Sequence, residues 1–397
     1  MYFKPCREKF LFQPLVRNAP GWYNQQEVMA CMEFLATAAF GLEGLVKREL
    51  NRMGLEGRGE TGGVRFEASP GQAFCANLWL RTADRVLLII GESAVHSFED
   101  LFQLTFSLPW EDYLPRDARF PVSGKCVRSQ LMSVRDCQAI TKKAIAERMK
   151  RHYKTAWFEE NGAEYPIDVS IHGDVARLTI DTSGAALNRR GYRTWNGEAP
   201  LRETLAAGLA MLAHSQGDRP LWDPCCGTGT LLIEAAYLRS GRAPGLTRPF
   251  ACEKWPFFPA KDMARAREEA AARFDPSRIG IIGGSDIDHE ALTLCKRHLK
   301  QAGLGGKIIV LQKDLKELTL DYAAPLFLLN PPYGERLGDR GACEVLYRQL
   351  RALRDRHPGS SLGVITAHTG FERCFGQRVP QKRRLYNGRL ECEFLLY

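Results

Sequence analysis

The sequence predicts two architectures in series: an α+β region in the front half and a doubly wound, largely parallel α/β sheet in the back half. Three observations predict this. Before residue 183, short strand-like runs mix with helices and close on a hairpin signal. Beyond 183, strands and helices alternate, the pattern of parallel strands joined by crossover helices. The last runs, 383–386 and 389–397, flank Asn387-Gly388, the strongest short hairpin signal in any sequence. A length of 397 residues suits two or three domains.

The elements follow in order. Residues 1–31 mix Pro, Arg, Asn and aromatics without a period and are expected to form a disordered extension. The run EFLATAAFGLEGLVKREL then reads as a strand entering an amphipathic helix, with Leu42, Leu45, Val46 and Leu50 at helical spacing. A glycine-punctuated segment precedes a short strand at 64–66. A helix at 70–80, a strand at 85–92, a helix at 98–104 and a strand at 120–127 come next. Residues 136–153 form a long helix, and two strands meet at Gly173-Asp174. Residues 183–200 make a Gly/Asn/Arg-rich connector, so a domain boundary is placed at 183. The back half predicts helices at 201–215, 229–240, 289–302 and 342–356. Between them fall strands at 221–224, 279–286, 307–314, 325–330 and 361–368. The 241–277 insertion is too long for a plain loop.

Composition sets outer bounds. With 45% hydrophobic and 25% charged residues, wholesale disorder and a fibre are excluded, and no apolar run reaches the length of a membrane span. The 55 Lys and Arg outnumber 46 Asp and Glu, giving a net charge of +9 that permits a polyanionic partner without proving one. None of the 12 Cys forms a C-x-x-C pair and the 8 His lack H-E-x-x-H, so no metal site is expected. Dispersed, reduced thiols and an N-terminus without a signal-peptide pattern point to the cytoplasm.

Chemistry concentrates at strand ends of the back half. In Asp223-Pro-Cys-Cys-Gly227-Thr-Gly229, a strand ends at an acid and a glycine turn opens a helix. The run is neither a dinucleotide fingerprint nor a phosphate loop, because no Lys follows the glycines. An acid there suits a cationic or amino-bearing ligand, and S-adenosylmethionine, with its ammonium and sulfonium, fits. Asp286 ends the second strand, where a carboxylate can accept ribose hydroxyls, and Asp314 ends the third, placed to accept from an adenine amino group. Each of these acids, taken singly, reads as a helix cap. Asn330-Pro331-Pro332-Tyr333 ends the fourth strand. The prolines stiffen the turn and leave their carbonyls as acceptors. With the Asn330 oxygen they can hold both hydrogens of an exocyclic amine, while Tyr333 stacks on the base.

These runs, DPCCGTGTLLIEAA, GSDID, KD and NPPYGERL, resemble those of class I amino-methyltransferases. With DTSGAALNRRGYR and APLRETLAAGLA they look like the THUMP-domain 23S rRNA guanine-N2 methyltransferases of the RlmL/YpsC type, over residues 32–397. Pro-Cys-Cys departs from the Pro-Phe-Cys more usual in relatives and places nothing catalytic in doubt. The resemblance implies a ferredoxin-like region at 32–72, a THUMP RNA-binding domain at 73–182 and a Rossmann-like, S-adenosylmethionine-dependent methyltransferase domain at 183–397. It implies that Asp223, Gly227 and Gly229 hold the methionine end of the donor, Asp286 its ribose and Asp314 its adenine. Arg202, Glu203 and Thr204 are weaker candidates for the same site. Asn330, Pro331, Pro332 and Tyr333 would hold the target base.

RNA contacts are expected from Lys142, Lys143, Lys150 and Arg151 on one helix, and from Arg189, Arg190 and Arg193 in the connector. The Lys382-Arg383-Arg384 run is a further candidate surface. Charge alone favours a solvated face for the helix. The chain ends after the hairpin, without the second methyltransferase domain of longer relatives, so one activity is expected. A tRNA guanine-N2 or DNA adenine-N6 methyltransferase would use the same pocket, and a non-catalytic assembly factor would share the fold. The α+β module ahead of the catalytic runs favours RNA over DNA, and the intact motifs disfavour a non-catalytic role. Oligomeric state is left open.

Overall fold

The computed structural model describes residues 31–193, 201–215, 217–333, 339–379 and 381–397. The extension expected at 1–31, apart from its last residue, and the connector from 194 to 200 lie outside the described residues, as do Gly334 to Leu337 of the NPPYGERL run.

The front half comprises β1 (Met32–Ala38), α1 (Glu43–Arg52), β2 (Gly57–Glu60), β3 (Gly63–Ala68), α2 (Pro70–Trp79), β4 (Ala83–Ala94), α3 (Phe98–Ser107), β5 (Val122–Val127), α4 (Val134–Tyr153), β6 (Ile167–His172) and β7 (Val175–Asp181). Its strands form one seven-stranded sheet in the order β2-β3-β1-β4-β7-β6-β5. Only β5 and β6 pair in parallel there. β2 was not expected, because Gly-Arg-Gly-Glu has no apolar alternation; it is a strand through pairing with β3, Gly57 opposite Phe66.

The division expected at 72/73 falls inside α2. A Ser69–Gln72 capping box with Pro70 at the first turn starts that helix as a single unit. β4 then pairs with β1 on one side and β7 on the other, so the sheet runs through both regions. Gly173 and Asp174, at φ 56 and 60, make the tight turn between β6 and β7, where both central residues need positive φ.

The back half comprises α5 (Glu203–Leu212), β8 (Leu221–Asp223), α6 (Thr230–Ser240), α7 (Ala260–Ala272), β9 (Ile282–Asp286), α8 (His289–Gln301), β10 (Ile309–Gln312), β11 (Leu326–Leu329), α9 (Asp339–Arg356), β12 (Ser361–Thr366), α10 (Phe371–Phe375), β13 (Lys382–Asn387) and β14 (Leu390–Leu396). The sheet order is β10-β9-β8-β11-β12-β14-β13. β10 to β12 are parallel, and β14 runs antiparallel to both β12 and β13. Leu326-Phe-Leu-Leu329 is an unbroken apolar run because β11 is covered on both faces. Leu326 and Leu328 join one core, and Phe327 and Leu329 the other. The terminal hairpin turns one residue later than expected: Asn387 pairs with Leu390, so the loop is Gly388-Arg389, with Gly388 at φ 67.

Order reverses between β8 and β11, which opens a crevice at their C-terminal ends. The 241–277 insertion packs onto the front half. Trp255 stacks on Tyr165 at 4.8 Å and donates from its indole N–H to the Glu164 carbonyl at 2.9 Å. Phe250 meets Phe74 edge-on at 5.6 Å. No helix among the described residues is long and apolar enough to cross a membrane.

Candidate active site

β8 delivers Asp223 to the crevice. Its carboxylate is 2% exposed and accepts the Cys225 N–H at 3.0 Å, which closes the turn after Pro224. Burial pushes this carboxyl well above its ordinary range; the Cys225 N–H offsets part of the shift, and the charge of Asp286 adds to it. Gly227 follows at φ 49 and Gly229 at φ 84, conformations that L side chains rarely adopt. A Cβ on Gly227 would meet no atom within 4 Å, so the space beside the loop is open. A Cβ on Gly229 would lie 2.5 Å from Cys295 Sγ, so α8 closes the loop from behind.

β9 delivers Asp286. One carboxylate oxygen accepts the Gly227 N–H at 2.8 Å and the other the Asp288 N–H at 3.0 Å. The glycine turn and the second acid are thus tied together, and the expected grouping is a physical one. Ile287, the next residue, is 68% exposed, an apolar surface at a strand end between two acids. Sequence reading passed over it, although an Ile set between two acids in Ser-Asp-Ile-Asp was its signal. Asp314 lies past β10. It caps a short turn through the Lys316 N–H at 3.0 Å and pairs with the Lys316 ammonium at 3.2 Å. The backbone N–H chiefly holds its carboxyl below the ordinary range.

β11 delivers Asn330 and the two prolines to the same end of the sheet. The Tyr333 hydroxyl donates to Asn330 Oδ1. The Pro332 carbonyl, expected to remain an acceptor for ligand, takes the Tyr347 hydroxyl at 2.9 Å. Tyr333 itself is half-buried against the back-half core, and burial raises its pKa.

The weaker candidates separate. Arg202 is exposed ahead of α5. Glu203 is buried, 3.3 Å from the Arg193 guanidinium, and accepts Asn188 Nδ2 at 3.3 Å. Thr204 is buried and donates to Asp84 of the front half at 3.1 Å, so its hydroxyl serves the junction between the halves.

The basic candidates also separate. Lys143, Arg151 and Arg189 are exposed. Lys142 pairs with Glu160 at 2.9 Å and Lys150 with Glu147 at 3.0 Å. Arg190 does not lie on the surface: it is 3% exposed, donates to the Leu187 and Arg81 carbonyls, and sits 3.5 Å from Glu234. Arg193 is half-buried and engaged with Leu201, Thr230 and Glu203. Connector arginines read as surface charge are therefore largely internal, because helix-borne carboxylates compensate them. Sequence reading also passed over His298, which is buried on α8 with Nδ1 3.1 Å from the Thr228 carbonyl of the glycine turn.

Comparisons with known proteins agree with this fold. The family profile described as an RMKL-like methyltransferase domain matches residues 190–395, that of the RlmL ferredoxin-like domain 33–87 and that of the THUMP domain 95–181. The chain is 39% identical to YpsC of Bacillus subtilis (strain 168), whose name assigns it provisionally as an RNA methyltransferase, over 91% of this chain and 95% of that one. It is 32% identical to the ribosomal RNA large subunit methyltransferase K/L of Psychromonas ingrahamii, over 91% of this chain but about half, 49%, of that longer protein.

Among solved structures, a Listeria monocytogenes protein described on prediction as an N6-adenine-specific DNA methylase is 42% identical, with a TM-score of 0.88 over 93% of this chain and 96% of that one. SMU.472, described as a methyltransferase by assignment and crystallised with SAH, is 37% identical, with a TM-score of 0.89 over 92% and 98%. An open glycine turn tied to the Asp286 carboxylate, the nearby Asp223 carboxylate and an exposed Ile fit S-adenosylmethionine. The chain belongs to the RlmL/YpsC-type family of THUMP-containing, S-adenosylmethionine-dependent methyltransferases.

Proposed function

We propose that this protein methylates the exocyclic N2 amine of a guanine in RNA, in the 23S rRNA of the large ribosomal subunit, and works in the cytoplasm. The Asn330-Pro331-Pro332-Tyr333 turn, set beside the glycine turn at one end of the sheet, carries the reading. The name of the K/L relative supports the large-subunit substrate.

Bound S-adenosylmethionine supplies a methyl group already activated by the sulfonium charge. Asp223 faces the cationic methionine end, Asp286 accepts from the ribose, Asp314 from the adenine amine, and Ile287 covers the adenine face. Asn330 Oδ1 and the Pro331 carbonyl accept the two amine hydrogens and so aim the nitrogen lone pair. For this the Tyr333 hydroxyl leaves Asn330, and its ring turns to stack on the base. The surplus proton passes to solvent after transfer, so no strong base is required. Lys143, Arg151 and Arg189 supply exposed phosphate contacts, and Lys142 and Lys150 add to them once released from their glutamates. Trp157, 77% exposed just beyond the end of α4, offers a base platform beside them.

Purified protein incubated with labelled donor and either 23S rRNA, tRNA or DNA tests this. Label should enter rRNA and digest to N2-methylguanosine. Label in adenine of DNA, the activity named for the Listeria relative, would replace the reading.

A further inference from the structure

We propose that Arg193 is a positioning residue for the donor loop. It lies in the connector between the halves, yet its side chain is only 11% exposed. Nη2 donates to Thr230 Oγ1 at 2.5 Å and to the Leu201 carbonyl at 3.0 Å, and Nη1 lies 3.3 Å from Glu203. Thr230 is the first residue of α6, and the helix is capped by Gly229, which has no side chain to hold the helix start.

The connector thus grips the first residue of α6 by its side-chain hydroxyl, next to a cap residue that has no side chain. One turn further along α6 it grips again: the Tyr192 hydroxyl donates to Glu234 at 3.0 Å, and Arg190 faces the same carboxylate. The Gly227–Gly229 turn is strung between β8 and α6, so the placement of the first turn of α6 sets where the loop amides point. Arg193 holds the Thr230 hydroxyl, and Gly229 contributes only its backbone to the helix start. Arg193 therefore acts on the donor through Thr230, without touching it.

Calorimetric titration of S-adenosylhomocysteine into the full chain tests the inference, because it needs no RNA and no turnover. Thr230→Val removes the hydroxyl and keeps the Arg193–Glu203 pair. Arg193→Lys keeps a charge for Glu203 and loses the fork that reaches Thr230. Both should weaken binding roughly tenfold, the order of one charge-assisted hydrogen bond. In turnover, KM for the donor should rise while KM for RNA holds. Ser183→Ala, at the Asn77 junction away from the loop, is the stability control: it should lower Tm and leave binding unchanged.

If Thr230→Val and Arg193→Lys lower Tm like the control but bind as wild type, Arg193 is merely structural and the inference is overturned. The inference rests on the glycine turn being the donor loop, so Gly227→Val is measured beside them. Binding that survives Gly227→Val would remove that premise and the inference with it, whatever the RNA substrate proves to be.

Discussion

Asn330 is one residue past β11, and its side-chain oxygen is held by the Tyr333 hydroxyl. An amine-holding role predicts that Asn330→Ala loses transfer by about 10²–10³-fold, as for a lost transition-state contact. Affinity for S-adenosylhomocysteine should stay within about twofold, since Asn330 is assigned no donor contact. Equal loss of both would show that the turn only supports the fold. Tyr333→Phe keeps the ring and removes the hydroxyl, so transfer should persist. Tyr333→Ala should cost ~1–3 kcal/mol of base stacking in kcat/KM.

Asp223 carries a pH prediction. Its folded pKa is raised by burial, so its contribution to stability is lost as pH rises through that raised value. A cationic donor reverses the preference and favours the carboxylate. Donor binding should therefore release a proton, and affinity should rise with pH between the donor-bound and donor-free values. Calorimetry in buffers of different ionisation enthalpy measures this. Binding without proton release would remove Asp223 from the cationic end.

At the scale of elements, strand-end acids and turn residues were legible because their signals are local. Gly173-Asp174 and the Asp223–Gly229 run show it: the backbone conformations they require are written in those few residues. β2 was not legible, since its pairing with β3 supplies what its own sequence lacks. α10 was missed because Phe371–Phe375 is a single short turn of helix, fixed by packing of Phe371 and Phe375 in the core. The helical tail of the insertion was legible and is α7, but its packing was not, because its partners Tyr165 and Phe74 are distant in sequence. Trp255→Ala should cost about 3–5 kcal/mol, as for other large buried aromatics, read by denaturant unfolding. A change below about 1 kcal/mol would mean that the insertion does not clamp the halves.

Across the whole molecule, net charge proved a poor guide to individual contacts. The connector arginines illustrate the reason: Arg190 and Arg193 compensate Glu234 and Glu203 inside the protein, and only Arg189 of the three is exposed. Composition counts a charge, but only the fold says what faces it. The exposed Lys143 and Arg151 should weaken RNA binding when changed together to Gln, and should lessen its salt dependence by roughly one to two phosphate contacts in the log–log slope. An unchanged slope would place the RNA elsewhere. The most direct measurement is nucleoside mass spectrometry of 23S rRNA from a strain lacking this chain. One N2-methylguanosine should vanish, return with the wild-type chain and stay absent with Asn330→Ala. An unchanged rRNA profile, with a methyl mark lost instead from tRNA or DNA, would contradict guanine-N2 methylation of 23S rRNA.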